Sequence, residues 1–159
     1  MQHRHSIRLP GYNYAQDGAY YITLCTSQRA RLFGQVVDRQ IALSALGCAA
    51  EQEWLRTPYV RPNVCLDAFV IMPDHVHAIA VILQGADIAA TGGFRSPSHT
   101  LGAIVRGFKA AVTRQANMMA NTSGLSVWQR NYYEHSVRDE ADLNRIRRYI
   151  AANPSRWKG

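Results

Sequence analysis

Two histidines stand one residue apart in MPDHVHAIA, Met72 to Ala80, inside a run that is otherwise apolar. In an extended chain residues i and i+2 point the same way, so His75 and His77 project together while Val76 and Ala78 turn to the other side. Two imidazoles side by side are half of a metal site, and oxygen ligands or water must complete it for an ion such as Mg, Mn or Zn. The same spacing also suits two histidines held only by hydrogen bonds at a strand end, and spacing alone leaves both readings open. A second candidate lies near the C-terminus, where Tyr149 and Asn153 are four residues apart in a helical pattern and Arg145 is one turn earlier. A phenol with a pKa of about 10 is a useful nucleophile at neutral pH only where its target is polarised or its proton has an outlet. A metal ion on a phosphate meets that need. The commoner fates of these residue types are an interface aromatic and a helix C-cap before Pro154.

His3 and His5 repeat the spacing, but in a polar terminus, MQHRHS, that is expected to fray, so they serve as a control. Some metallohydrolases contain His-x-His and continue into a nearby Asp-His pair, whereas this chain continues AIAVIL, which argues against a hydrolase of that kind. In WQRNYYEH, Trp128, Tyr132 and Tyr133 can stack bases or fill a core, and sequence does not choose between the two.

Residues this far apart need a fold to bring them together. The chain has 159 residues, 47% of them hydrophobic, which fits a single domain over 1–159 with a core of its own. Cys25, Cys48 and Cys65 are odd in number and form no Cys-x-x-Cys pair, which argues against a disulfide framework or a thiolate zinc site. The N-terminus has no apolar signal region, and no stretch approaches the roughly 18 apolar residues that span a bilayer, so a cytoplasmic, nucleoid-associated protein is expected. A net charge of +7 and a pI near 9.7 favour a polyanionic partner such as nucleic acid.

The elements follow from periodicity. AYYITLCTS, residues 19–27, reads as a strand; residues 42–56 read as an amphipathic helix stopped before Pro58. CLDAFVIM and HVHAIAVIL flank a Pro-Asp turn and form an antiparallel pair. Residues 1–17 and the Gly/Ser/Thr-rich stretch 85–100 are expected to be a flexible terminus and loop. LGAIVRGFKAAVTRQANMM is a helix, WQRNYYEHSVR is extended, and DEADLNRIRRYIAANP is a helix with an acidic first turn. The order predicts an α+β fold, an antiparallel sheet with helices packed mainly on one face.

The blocks YYITLCTSQRARLFG, VIMPDHVHAIAVI, IVRGFKAAVT and VWQRNYYEHSVRDEADLNRIRRYIAANP resemble, in order, the REP-associated tyrosine transposases, a domesticated branch of the single-tyrosine HUH transposases. The likeness runs from about Tyr20 to Trp157. It implies a ferredoxin-like or RRM-like domain whose central strand carries metal-binding His75 and His77, with Tyr149 as nucleophile. Asn153 would be the third ligand, standing where insertion-sequence relatives carry Gln. The implied activity is cleavage and joining of single-stranded DNA at REP-like hairpins, with Mg2+ or Mn2+ and a 5′-phosphotyrosine intermediate, in a monomer or homodimer. The basic side chains expected on DNA are Arg29, Arg31, Arg106, Lys109, Arg114, His135, Arg138 and Arg145. Rival readings are a catalytically silent DNA-binding regulator of the same fold and an RNA-binding module.

Overall fold

The computed structural model describes residues 18–83 and 100–159. The predicted terminal segment 1–17, with His3 and His5, and residues 85–99 of the predicted loop lie outside the described residues. Thr100, the last residue of that loop, instead caps a helix, its hydroxyl accepting from the Ala103 N–H at 3.1 Å.

Strands β1 (Gly18–Cys25), β4 (Val64–Met72), β5 (His75–Ile82) and β6 (Tyr133–Ser136) form one antiparallel sheet in the order β4-β5-β1-β6. Each central strand alternates two sets of side chains. Ile22 and Leu24 of β1, with Val76, Ala78 and Ala80 of β5, face α1 (Ala45–Leu55) and α3 (Leu101–Met119) through Trp54, Ile104, Phe108 and Val112. The other set, Ala19, Ile79 and Val81, packs beneath Leu143, Ile146 and Ile150 of α4 (Glu140–Ala152). The α+β class holds, and α4 is the helix that takes the second face. That is the face to which His75 and His77 point.

Local boundaries follow capping. The helix read as starting at residue 42 starts at Ala45, because Ser44 accepts from the Gly47 N–H at 3.0 Å and donates to the Leu32 carbonyl at 2.7 Å. Gly47 is needed there, since a Cβ would fall 2.0 Å from the Phe33 carbonyl oxygen. Residues 42–43 belong to a hairpin that periodicity did not reveal, β2 (Gly34–Val37) and β3 (Gln40–Leu43). Its turn is Asp38-Arg39, both at positive φ, a two-residue geometry usually announced by Asn-Gly or Asp-Gly. A short helix α2 (Thr57–Val60) follows α1. Of the predicted extended segment, Tyr133–Ser136 forms a strand of the sheet, and Trp128 makes an isolated bridge to Thr26. Among the described residues no helix is long and apolar enough to cross a membrane.

One irregularity matters for the site. Between Leu66 and Phe69 the β4–β5 register shifts, so Asp67 and Ala68 oppose a single residue of β5. The extra residue leaves Asp67 buried at 2% exposure and bound by Arg147 of α4 through two guanidinium nitrogens, with Nε at 2.7 Å. A lone carboxylate in an apolar strand needs such a partner.

Candidate active site

The Pro73-Asp74 turn is pinned before it delivers His75. The Thr26 N–H donates to the Asp74 carbonyl at 2.9 Å and the Phe33 N–H to the Pro73 carbonyl at 3.0 Å. The Asp74 side chain lies 2.6 Å from His75 Nδ1 and 3.1 Å from Arg29 Nε. A carboxylate can only accept, so it places the imidazole proton on Nδ1 and turns the Nε2 lone pair outward. Arg29 neutralises the far side of the same carboxylate.

His77 sits opposite Thr23 in the β1–β5 ladder. Its Nδ1 lies 2.9 Å from both the Thr23 and the Tyr21 hydroxyl, and Thr23 donates to Tyr21 at 3.2 Å. With its proton on Nδ1 this imidazole also offers Nε2. Burial, reinforced by the charges of His75 and Arg29, pushes the His77 pKa down to about 3, so the ring is neutral at physiological pH, as metal ligation requires. Burial likewise raises the Tyr21 phenol, with a smaller opposing effect from the Thr23 hydrogen bond, and keeps it a neutral hydroxyl. The two imidazole rings are 4.5 Å apart between centroids.

Helix α4 brings the second predicted group to the first. The Tyr149 ring lies 5.4 Å from the His77 ring and 6.4 Å from Tyr21, with 44% of the residue exposed. Beyond α4, a short 3-10 turn (Pro154–Arg156) carries Trp157 to 6.1 Å from the His75 ring, with Arg31 stacked 5.8 Å over the indole. Asn153 ends α4 one turn after Tyr149, between the residues that touch His77 and His75. Among the described residues no three His, Cys, Asp or Glu converge.

The helix is anchored at three levels. Leu143, Ile146 and Ile150 each contribute on the order of 1.5–3 kcal/mol by burial. Arg147 holds Asp67 two residues before Tyr149. At the N-terminus Asp139 accepts from the Asp142 N–H at 2.7 Å, while Asp142 receives His135 at 2.8 Å, the Arg138 N–H at 3.1 Å and Arg145. The His135 bond, followed by that of Arg145, holds the Asp142 carboxyl well below the usual range against the opposing effect of burial.

The eight basic residues expected on DNA divide between two faces. Arg29 and Arg31 border the histidines, and His135, Arg138 and Arg145 gather on Asp142 at the start of α4. Arg106, Lys109 and Arg114 ride on α3, across the sheet from the site. Of these, Lys109 donates to the Gln129 carbonyl at 2.9 Å beneath Trp128 and Tyr132 and acts as internal glue. Trp128 packs on Phe33 and Phe108 and donates to the Lys109 carbonyl, so it is a core residue. Asp74, Tyr21, Thr23 and Asp67 were missed in the sequence reading. The signals were present: Asp74 adjoins His75, Tyr21 and Thr23 alternate with Ile22 and Leu24 as a polar strand face, and Asp67 interrupts an apolar run.

The chain is 41% identical, over 167 aligned residues covering 99% of it and 92% of the relative, to an uncharacterised protein of Haemophilus influenzae. It superposes with a TM-score of 0.61 and 19% identity on the REP-associated tyrosine transposase solved bound to a REP hairpin, covering 91% of this chain and 70% of that one. No family model matches.

Proposed function

The chain belongs to one family with the Haemophilus influenzae protein and has the fold of the REP-associated tyrosine transposases; from that premise we propose that it is a single-stranded DNA nicking and joining enzyme acting on REP-like hairpins. The observation that carries the proposal is the meeting of Tyr149 with His77 at 5.4 Å, from elements far apart in the chain, with His77 buried on a central strand and Tyr149 partly exposed above it.

In the proposed reaction the Tyr149 hydroxyl oxygen attacks the phosphorus of a phosphodiester. The bond from phosphorus to the 3′ oxygen breaks, leaving a 5′-phosphotyrosine on the protein and a free 3′-OH that takes up a proton. The phenol proton leaves to solvent, which reaches this half-exposed side chain. A Mg2+ or Mn2+ ion, held by His75, His77 and Asn153, would supply Lewis-acid charge to a nonbridging oxygen. Asp74 fixes the His75 tautomer, Tyr21 and Thr23 hold His77, and α4 keeps the Tyr149 phenol beside the His77 ring. One phosphodiester replaces another, so a DNA 3′-OH can reverse the step without a nucleotide cofactor.

The test is incubation with single-stranded DNA from the repeats that flank the coding region, followed by denaturing electrophoresis. A covalently shifted band that needs a divalent ion, maps to Tyr149 and disappears in Tyr149→Phe is expected. An adduct on another residue overturns the assignment of the nucleophile. Specific hairpin binding without any adduct favours the silent DNA-binding regulator, and preference for RNA favours the RNA-binding module.

A further inference from the structure

Of the three aromatics in WQRNYYEH, two are accounted for inside the fold: Trp128 in the core, and Tyr132 over Lys109 with its hydroxyl 3.4 Å from Glu134. Tyr133 is different. It begins β6, the edge strand, directly opposite Thr23, so its side chain rises on the face that carries His77. Its ring meets Tyr21 edge-on at 6.0 Å and is 58% exposed. Tyr149 meets the same Tyr21 edge-on at 6.4 Å. Arg145, one turn before Tyr149, keeps 61% of its side chain exposed while bound to Asp142.

An exposed ring of this size at the edge of a polar site costs solubility and contributes little to the core. Tyr149, a candidate reactive phenol, shares Tyr21 as a neighbour, and the Arg145 guanidinium is near enough to act electrostatically on the same Tyr21 hydroxyl. Flat apolar surface flanked by cationic charge is the chemistry that receives a nucleotide, the base on the ring and the phosphate on the arginine. We propose that Tyr133 and Arg145 form a nucleobase subsite beside Tyr149, in which one unpaired base of the DNA strand stacks on Tyr133 while its phosphate is drawn to Arg145. The subsite rests on the proposed nicking function and makes it more specific: the strand enters along β6 and is gripped close to the phosphate that Tyr149 attacks. A stacked base also fixes the backbone register, because a sliding strand must break the stack.

The experiment uses the full chain and a DNA hairpin with a single-stranded 5′ arm, each arm position replaced in turn by the fluorescent base 2-aminopurine. Wild type is expected to quench one arm position far more than its neighbours. Tyr133→Leu keeps apolar bulk but has no π face, so that quenching should vanish and the dissociation constant should rise about tenfold. Tyr133→Phe should retain both, and should still form the covalent adduct. Arg145→Gln should weaken binding with the quenched position unchanged. Tyr59→Leu is the control, since Tyr59 is 87% exposed but belongs to α2, across the sheet. Wild-type affinity and quenching in Tyr133→Leu overturns the subsite while leaving the nicking reading intact, and an adduct lost in Tyr133→Phe overturns the stacking role. A wild-type chain that binds no hairpin overturns both.

Discussion

Removal of Arg147 gives the most direct test of how α4, which carries Tyr149, is held. The Asp67 carboxylate is 1% exposed at its side chain and the Arg147 side chain 17%, so the pair lies almost entirely out of water. Arg147→Met retains the stem that lies across β4 but leaves a buried carboxylate without its guanidinium. Breaking one side of a buried ion pair costs about 3–5 kcal/mol. In a chain of this length each kcal/mol moves the melting temperature by about 2–4 °C, so a fall of about 10 °C is expected. Asp67→Leu/Arg147→Met removes both charges, and the double variant should recover most of that loss. Urea and thermal unfolding followed by circular dichroism would measure both. Adduct formation should fall with Arg147→Met even well below its melting temperature, because Arg147 is two residues from Tyr149 and the pair fixes the tilt of α4 on the bulge. A change of under about 1 kcal/mol in Arg147→Met, or a double variant less stable than the single, would refute the argument that the buried charge needs its partner.

Asp74→Asn should lower divalent-metal affinity about 10- to 100-fold in titration calorimetry, since the amide no longer forces the His75 proton onto Nδ1, and unchanged affinity would remove Asp74 from the proposed ligand support. His77 gives the metal-free chain a pH dependence of stability: the unfolded chain protonates this histidine near 6.5, whereas the folded chain holds it neutral to about 3. The unfolded state therefore binds more protons between those values, so this contribution is fully present above pH 6.5 and falls by up to about 1.4 kcal/mol per unit as pH drops through the window. Urea midpoints from pH 6.5 to 4.5 in chelator should show a slope that His77→Gln flattens, and parallel slopes for the two proteins would count against a buried neutral imidazole. His75→Ala and His77→Ala should abolish metal-dependent cleavage and leave hairpin binding within a few fold, with EDTA reproducing the effect; full activity in EDTA would remove the metal from the reaction.

Much of the framework was legible because it rests on local rules. Two apolar runs around Pro73-Asp74 implied the β4–β5 pair, the period of two placed His75 and His77 on one side of it, and the helical stripe of Leu143, Ile146 and Ile150 marked α4 with Tyr149 and Asn153 one turn apart. Those periods of two and of 3.6 are backbone geometry, which any stretch of sequence displays. The β2–β3 hairpin escaped because its turn uses Asp38-Arg39, held at positive φ by the surrounding fold rather than by a glycine.

What neither period contains is which face meets which. That α4 covers the histidine side of the sheet and α1 and α3 the other depends on the complementary burial of two apolar sets drawn from β1, β4, β5, α1, α3 and α4, a long-range choice invisible in any one of them. The same choice decided the fate of the basic and aromatic residues. It turned Lys109 and Trp128 inward, divided the arginines between two faces, and left Tyr133, alone of the aromatics of its motif, mostly in solvent on the face of the site. Asp67, Asp74, Tyr21 and Thr23 carry ordinary side chains whose roles arise from distance: a carboxylate becomes an anchor or a tautomer lock only when the fold delivers a guanidinium or an imidazole within hydrogen-bonding reach and excludes the water that would otherwise compete.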